Sequence, residues 1–291
     1  MTATTKYAPK FGNLFINAGA MKAGTTWLYW VLRLNPDLYF SMEKEIHYFH
    51  RKYLGAAILN DTHRLNQFRS SYVRNMCSAE TAIDDLRAKL AWLQIYMADP
   101  MDDDWYAHVT RIPGDQTYAC DFSNLYSQLP DHAWAEIEAQ CSQLRVLFML
   151  RDPLCRLWSH VKFDLKFNGQ LGMLQHWSPR DYEAYLRQPH VWENAEYGQA
   201  IRRMKSGLSA ECLRFDFIDE AQSDTLGLIR RIERFVGIRE QDYPNWVLRD
   251  KVNQSDPLPM PDFLPDLFRD DIERIKAEMS IAGVEPPADW L

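Results

Sequence analysis

The feature that most constrains the fold is an apolar segment followed at once by a glycine-framed turn. Residues 14–18 read Leu-Phe-Ile-Asn-Ala, and residues 19–27 read Gly-Ala-Met-Lys-Ala-Gly-Thr-Thr-Trp. This pattern predicts a strand over 14–18, a turn over 19–24 and a helix over 25–35. A strand, turn and helix in this order form an anion site, because backbone N–H groups and the positive end of the helix dipole meet at the turn.

The position of the lysine in this turn is unusual. In the Walker pattern GxxxxGK[ST], the lysine follows the second glycine. Here Lys22 precedes Gly24, and Thr25 occupies the place of the Walker lysine. The turn therefore predicts a phosphate site built on a different plan from that of a nucleoside triphosphate loop.

Further segments alternate between strand and helix patterns. Three apolar segments predict strands, at 117–121, 145–150 and 211–216, and the unbroken apolar run of the second is typical of a strand covered on both faces. Helices are predicted over 154–167, where Asp152 and Pro153 suit the cap and the first turn, and over 220–236, where Gly237 ends the helix. This alternation predicts an α/β fold with a central, mostly parallel sheet flanked by helices.

The region between the first two predicted strands is less regular. Residues 39–50 are expected to be extended, and residues 64–110 mostly helical. The apolar positions Leu86, Leu90, Leu93 and Met97 have helical spacing. Because ligands of parallel sheets bind beyond the carboxyl ends of the strands, we expect the segments 19–26 and 151–159 to meet there.

Composition narrows the function classes. The chain has 291 residues, a net charge of −7 and no Gly/Ser-rich linker, which predicts a single domain over 1–291 and argues against broad binding of nucleic acid. Its five cysteines are scattered without a CxxC pair, as in a reduced protein without a zinc site. No run approaches the roughly 18 apolar residues of a membrane span. A cytoplasmic protein is therefore expected.

Arg151 and Ser159 are candidate anion ligands. Arg151 follows the predicted strand 145–150, so its planar guanidinium should enter the crevice, where it can grip a phosphate. Ser159 comes about two helical turns later and can donate a hydroxyl to the same group. For this pair alone, a local Arg151–Asp152 salt bridge and a surface serine explain the residues equally well.

Together these segments resemble the two nucleotide-binding segments of the sulfotransferase family. Residues 22–27, Lys-Ala-Gly-Thr-Thr-Trp, match its KxGTT segment, and residues 151–159, Arg-Asp-Pro-Leu-Cys-Arg-Leu-Trp-Ser, match its RxPxxRxxS segment. Residues 44–49, Lys-Glu-Ile-His-Tyr-Phe, resemble the KEPHFF segment of the heparan-sulfate-type and related bacterial branches. The resemblance implies a P-loop-like three-layer fold and 3′-phosphoadenosine-5′-phosphosulfate (PAPS) as the donor.

The resemblance also implies roles for individual residues. Lys22, Ala23, Gly24, Thr25 and Thr26 would hold the 5′-phosphosulfate, with Lys22 stabilising the leaving oxygen. Arg151 and Ser159 would hold the 3′-phosphate, no metal would be required, and 3′,5′-adenosine bisphosphate (PAP) would be released. Trp27 matches the residue that stacks on adenine in the cytosolic branch, although packing in the core explains it equally well.

The catalytic base has two candidates. Glu45 matches the family glutamate, whereas His47 is the residue type that most often serves as a base near neutral pH. The context Lys-Glu-x-His favours Glu45, with His47 as a neighbour that positions the acceptor or the base. Arg156 would either face the 3′-phosphate or brace Asp152.

The sequence also departs from the family pattern. Ile46 replaces the proline of KEPHFF, and Ser123-Asn124 replaces a Thr/Ser-Pro pair. The family's cytosolic dimerisation motif is absent near the C-terminus, so the oligomeric state stays open. Residues that match a late loop over the nucleotide only loosely are Lys251, Asn253 and Ser255.

Two other functions remain possible at this point. A P-loop kinase would need a lysine directly after the second glycine, and a non-catalytic nucleotide-binding protein would not need Lys22, Glu45, Arg151 and Ser159 together. The acceptor, a small molecule or a saccharide, is expected to meet aromatic residues in 51–110 and 162–200. These aromatics are Trp92, Tyr96, Trp105, Phe163, Phe167, Trp177, Tyr185 and Trp192.

Overall fold

The computed structural model describes residues 8–55, 58–249 and 258–290. At its centre lies a parallel sheet of five strands in the order β2-β3-β1-β4-β5. The strands are β1 (Phe11–Asn17), β2 (Leu38–Phe40), β3 (Tyr118–Asp121), β4 (Cys141–Leu150) and β5 (Leu213–Phe217). Helices flank the sheet, which confirms the predicted α/β fold and its parallel sheet.

The helices fill most of the chain between and after the strands. From the first strand to the fourth they are α1 (Thr25–Leu32), α2 (Tyr48–Leu54), α3 (Asp61–Gln67), α4 (Val73–Asn75), α5 (Ile83–Tyr96), α6 (Asp103–Val109) and α7 (Asp131–Gln140). After β4 they are α8 (Pro153–Phe167), α9 (Pro179–Leu186), α10 (Pro189–Trp192), α11 (Tyr197–Gly207), α12 (Ala221–Val236), α13 (Asn245–Arg249), α14 (Leu264–Leu267) and α15 (Arg269–Ile281). Within the described ranges, no helix has the length and apolar character needed to cross a bilayer.

The central strand β1 determines where a ligand can bind. Its residues Leu14, Phe15 and Ile16 are at most 1% exposed, because the sheet is covered on both faces. β1 pairs with β3 on one side and with β4 on the other, and the chain leaves β1 toward β2 at one edge of the sheet but leaves β4 toward β5 at the opposite edge. This reversal is a topological switch point, and it opens a crevice at the carboxyl ends of β1 and β4.

Two predicted helix ends have the expected physical cause. The Asp152 carboxylate accepts a hydrogen bond from the Cys155 amide at 2.7 Å, and Pro153 occupies the first turn of α8. Gly237 ends α12 in the left-handed region at φ 82°.

Several boundaries differ from the prediction; for example, β1 begins at Phe11 rather than at residue 14, and β4 begins at Cys141 rather than at residue 145. α1 ends at Leu32 rather than at residue 35, because the chain tightens there into a turn that the Asn35 side chain holds by accepting the Asp37 amide at 3.0 Å. The stretch 39–50 is not extended throughout, because α2 begins at Tyr48.

The predicted helical stretch 64–110 is broken into separate helices at 76–82 and 97–102. Of the apolar positions with helical spacing, Leu93 is buried, whereas Leu90 is 50% exposed and Met97 is 38% exposed. The buried face of α5 also carries Trp92 and Tyr96, whose rings stack at 4.9 Å. Large aromatic rings bury more area than leucine or methionine side chains, and they decide which face packs inward.

Candidate active site

The loop after β1 has a positive φ at three positions, two of which are glycines. Gly19, Lys22 and Gly24 have φ values of 123°, 70° and 79°. A Cβ atom on Gly24 would lie 2.6 Å from the Ile218 side chain, and one on Gly19 would lie 2.5 Å from the Asn124 carbonyl oxygen. The loop therefore packs too closely against its neighbours for larger residues at these two positions.

Backbone hydrogen bonds fix this loop to the end of β4. The Ala18 amide donates to the Leu147 carbonyl at 2.9 Å, and the Ala20 amide donates to the Met149 carbonyl at 2.7 Å. The Met149 amide returns a bond to the Gly19 carbonyl at 2.8 Å. Since this ladder continues past β1, the N-terminus of α1 is held at the switch point.

A cavity of about 1000 Å³ opens at this place. Its walls combine polar groups from the two predicted anion segments with apolar side chains from α8, α12 and the late part of the chain. The lining residues are Met21, Lys22, Gly24, Thr25, Thr26, Trp27, Glu45, His47, Ile58, Asn124, Leu125, Arg151, Cys155, Trp158, Ser159, Lys162, Phe163, Ile218, Asp219, Ala221, Gln222, Thr225, Leu248 and Met260.

Lys22 lies among other cations in this cavity. Burial lowers the pKa of its ammonium group to about 8, and the nearby charges of Arg151 and Lys44 act in the same direction. The Lys22 Nζ atom lies 4.1 Å from the centre of the Phe163 ring, and its carbonyl accepts a 3.3 Å bond from Arg151 Nη1. A cluster of cations in a partly buried cavity is suited to an anionic ligand.

The Glu45 carboxylate is held by three neighbours. Oε1 accepts bonds from Lys44 Nζ at 2.6 Å and from Asn124 Nδ2 at 3.2 Å, and Oε2 lies 3.3 Å from His47 Nε2. Burial acts to raise the pKa of this carboxyl, but Lys44 and His47 outweigh it and lower the pKa to about 2. The carboxylate is thus ionised and positioned at the cavity wall.

A hydrogen bond from its backbone amide holds His47 in place. It adopts the left-handed region at φ 58° just before α2, and its amide donates to Ser123 Oγ at 2.8 Å. Ser123 in turn donates to Asp121, a buried carboxylate at the end of β3 that also accepts the Tyr126 hydroxyl. Among the described residues, His47 Nδ1 has no hydrogen-bond partner. This network fixes the imidazole beside Glu45.

Arg151 is anchored at the carboxyl end of β4. The Tyr197 hydroxyl donates to its carbonyl at 3.0 Å, and the next amide, of Asp152, donates to Asp219 Oδ2 at 3.1 Å. Ser159 lies further along α8, is 5% exposed and lines the same cavity. The structure therefore brings the segment 151–159 and the loop after β1 to one site.

The sequence matches no family model and no curated protein, but its structure matches solved ones. A sulfotransferase from Alicyclobacillus acidocaldarius aligns with a TM-score of 0.60 at 16% identity, over 95% of this chain and 97% of that one. The sulfotransferase domain of the Synechococcus PCC 7002 olefin synthase aligns with a TM-score of 0.54 at 15% identity, over 98% and 99%. The sulfotransferase domain of the curacin biosynthetic pathway aligns with a TM-score of 0.54 at 16% identity, over 95% and 99%.

The chain has a sulfotransferase fold. Identities this low establish the architecture and leave the reaction to be argued from the site. These neighbours do not favour the P-loop kinase alternative.

Within this sulfotransferase fold, the residues expected to hold the 5′-phosphosulfate, the 3′-phosphate or adenine, and both candidate bases, line the cavity, with the exception of Ala23. Ala23 is a fully buried residue of the loop. Trp27 is 9% exposed and donates from Nε1 to the Leu248 carbonyl at 3.3 Å, so it both packs in the core and lines the cavity. The geometry is compatible with both interpretations of Trp27.

Arg156 does not occupy either predicted position. It is fully buried, and its guanidinium donates to the Val191 carbonyl at 2.7 Å and lies 3.1 Å from His160 Nδ1. His160 lies one turn further along α8 and Val191 lies on α10, so these contacts hold the Arg156 guanidinium in the interior, away from the cavity lining.

Most of the aromatics predicted for the acceptor pocket lie elsewhere. Phe163 lines the cavity, whereas Trp92, Tyr96 and Trp105 pack in the core. Phe167 is 82% exposed. The predicted late-loop residues Lys251, Asn253 and Ser255 fall outside the described residues.

Sequence reasoning missed three polar residues of the site. Lys44 bonds both Glu45 and the loop, Asn124 holds Glu45, and Asp219 orients the Arg151 segment through the Asp152 amide. For Lys44 a signal was available, since a lysine directly before a candidate base changes the basicity of that base. In the ranges that the structure describes, no three His, Cys, Asp or Glu side chains are grouped to hold a metal ion.

Proposed function

We propose that this chain transfers the sulfuryl group of PAPS to a hydroxyl or amine of a small-molecule or saccharide acceptor. One observation carries the proposal. One cavity at the switch point contains a glycine loop with a lysine, an arginine directly after β4, a serine of α8 and an ionised glutamate. These are the groups needed to bind two phosphates and to accept a proton.

The residues present fit a donor with two separate anionic ends. Lys22 and the hydroxyls of Thr25 and Thr26 line the cavity from the loop after β1 and the first turn of α1, whereas Arg151 follows β4 and Ser159 lies on α8. A cavity of about 1000 Å³ leaves space for an acceptor beside a nucleotide. Such a donor carries its own phosphates, so its binding rests on cations and hydrogen-bond donors of the chain.

The transfer step assigns one task to each group. The acceptor oxygen or nitrogen attacks sulfur in line with the bridging oxygen of the donor, and its proton passes to Glu45. The S–O bond to the 5′-phosphate breaks, and the electron pair leaves on that oxygen. Lys22 stabilises the developing charge there, because its ammonium group sits in a low-dielectric site.

Glu45 is the base in this proposal, and His47 is its positioning partner. Glu45 lines the cavity and is 27% exposed at its side chain, while Lys44, Asn124 and His47 hold its carboxylate. His47 is 6% exposed and is fixed by the Ser123 contact. The more exposed carboxylate is the group that an acceptor can approach.

The acceptor end of the cavity favours a neutral molecule. Near the loop, the apolar side chains of Met21, Ile58 and Phe163 line the wall. The net charge of −7 works against a polyanionic glycan, which would need a basic groove. An alcohol, phenol or amine on an apolar body fits these walls better than a charged sugar chain.

A screen with ³⁵S-labelled PAPS tests the proposal. Phenols, aliphatic alcohols, amines and neutral saccharides are offered to the purified protein with EDTA present. We expect label to move to at least one acceptor class without magnesium, and PAP to be released in equal amount.

Matched lysine variants serve as controls. Lys22→Ala should abolish most of the transfer, whereas Lys52→Ala, which removes a lysine paired with Asp103 instead, should keep it. Tight binding of PAP without transfer to any acceptor would favour a non-catalytic nucleotide-binding protein. A transfer that requires magnesium and ATP would contradict the proposal.

A further inference from the structure

Lys44 connects the loop after β1 to the proposed base. Its Nζ atom lies 2.6 Å from Glu45 Oε1 and 3.1 Å from Thr26 Oγ1. The Thr25 hydroxyl is 3.5 Å away. The Lys44 side chain is only 15% exposed, so its ammonium group has little access to water. One cation thus serves both the proposed donor loop and the proposed base.

These two contacts compete when an anion occupies the loop. An ammonium group has three N–H donors, and it favours whichever neighbouring acceptor carries more charge. In the structure, that acceptor is the Glu45 carboxylate. A phosphoryl group held by the hydroxyls of Thr25 and Thr26 adds a second anion within reach of the same Nζ atom, and it weakens the pair with Glu45.

Glu45 keeps its place when this pair weakens. Asn124 Nδ2 still donates to Oε1 at 3.2 Å, and His47 Nε2 remains 3.3 Å from Oε2. What the carboxylate loses is its nearest cation. Burial, which favours the protonated acid, is then opposed by fewer positive charges, and the carboxylate becomes more basic.

We propose that Lys44 is a positioning residue that makes Glu45 an effective base only when the donor occupies the loop. This inference rests on the proposed function. Without the donor, Lys44 neutralises Glu45 and keeps it weakly basic. With the donor bound, Lys44 turns to the phosphosulfate, and Glu45 takes the acceptor proton.

Other titratable groups also lie near Glu45 and influence its pKa. They are Lys22 on the loop, His47 before α2, the buried Glu43 and His63 on α3. They are shared by the wild-type protein and its Lys44 variants. The difference between these proteins therefore reports Lys44 alone.

A carboxyl ¹³C NMR titration of Glu45 tests this coupling. The signal is assigned with Glu45→Gln, and the pKa is measured with and without saturating PAP in the wild type, Lys44→Met and Lys52→Met. In the wild type and in Lys52→Met, we expect PAP to raise the pKa of Glu45 by about one pH unit or more. In Lys44→Met the pKa should already be raised without PAP, and PAP should move it by less than half as much.

If PAP changed the pKa of Glu45 equally in the wild type and in Lys44→Met, the inference would be overturned. The negative charge of the bound phosphates would then account for the whole pKa change. If calorimetry shows no PAP binding to the wild type, the proposed function fails and the inference fails with it. If Lys44→Met does not fold by circular dichroism, Lys44→Gln replaces it. Lys44→Arg should restore the wild-type difference, because the guanidinium keeps the charge.

Discussion

Raising the pH from 7 to 9 should remove the charge of Lys22 and most of the catalytic efficiency with it. Burial, reinforced by Arg151 and Lys44, lowers the pKa of this lysine to about 8. A lysine with a lowered pKa loses its proton as the pH rises through that value. The charged fraction therefore falls from about 90% at pH 7 to about 10% at pH 9.

The loss of activity at high pH is the alkaline limb of the pH–rate profile, and donor binding should shift its position. PAPS brings negative charge next to the Lys22 ammonium group, which favours the protonated form. The alkaline limb of kcat/KM, which reports the free enzyme, should lie near pH 8, whereas that of kcat, which reports the complex, should lie higher. Cys155 also lines the wall, and burial raises the pKa of its thiol to about 12, outside this range.

Initial rates at low and at saturating PAPS, from pH 6.5 to 9.5 at constant ionic strength, measure both limbs. Lys22→Arg is the matched control, because a guanidinium stays protonated throughout. We expect lower activity in this variant at pH 7 but no limb near pH 8. A wild-type kcat/KM that is flat to pH 9.5, or the same limb in Lys22→Arg, would refute the assignment of the limb to Lys22.

Three further variants test other parts of the site. Arg151→Ala should weaken PAP binding about 10- to 100-fold by calorimetry, since a charged hydrogen bond is worth about 1.5–3 kcal/mol; unchanged affinity would remove Arg151 from the phosphate site. Glu45→Gln should keep PAP binding and lower kcat about 10²- to 10⁴-fold, and near-normal turnover would move the base to His47. Gly24→Ala, with φ 79° and a Cβ 2.6 Å from a neighbouring side chain, should lose PAP binding. Gly169→Ala, at φ 69° with no atom within 4 Å, should keep it, and equal loss in both would contradict the loop argument.

The parts of the fold that were predictable are those that short-range sequence determines. The run 145–150 predicted β4 because a strand covered on both faces needs consecutive apolar residues. Asp152 and Pro153 predicted the start of α8, since capping depends on adjacent residues. The order of the strands was not predictable in this way, because it depends on contacts between distant segments.

The features that the sequence did not predict also depend on contacts between distant segments. Trp92 and Tyr96 were expected to meet the acceptor, but they pack on Tyr72, a residue from another element. The role of Lys44 depends on its distance to Thr26, which lies 18 residues earlier in the chain. A single domain over 1–291, a cytoplasmic location and a protein that binds no nucleic acid stay predictions.

The candidate site was more predictable than the fold around it. Lys22, Glu45, Arg151 and Ser159 were proposed from three motifs, and the structure brings all four to one cavity. Their roles remain proposals. The acceptor walls were not predictable, because most of the expected aromatics fill the core and only the fold decides which side chains face a cavity.

The central claim is that the cavity binds a 3′-phosphorylated adenosine donor and not a nucleoside triphosphate. Isothermal titration calorimetry of the wild-type protein with PAP, 5′-AMP and ATP, each with EDTA and then with magnesium, tests it most directly. We predict that PAP binds without magnesium and at least about tenfold more tightly than 5′-AMP, because Arg151 and Ser159 hold the 3′-phosphate. Binding of ATP with magnesium that is as tight as that of PAP, or no binding of PAP at all, would contradict the claim.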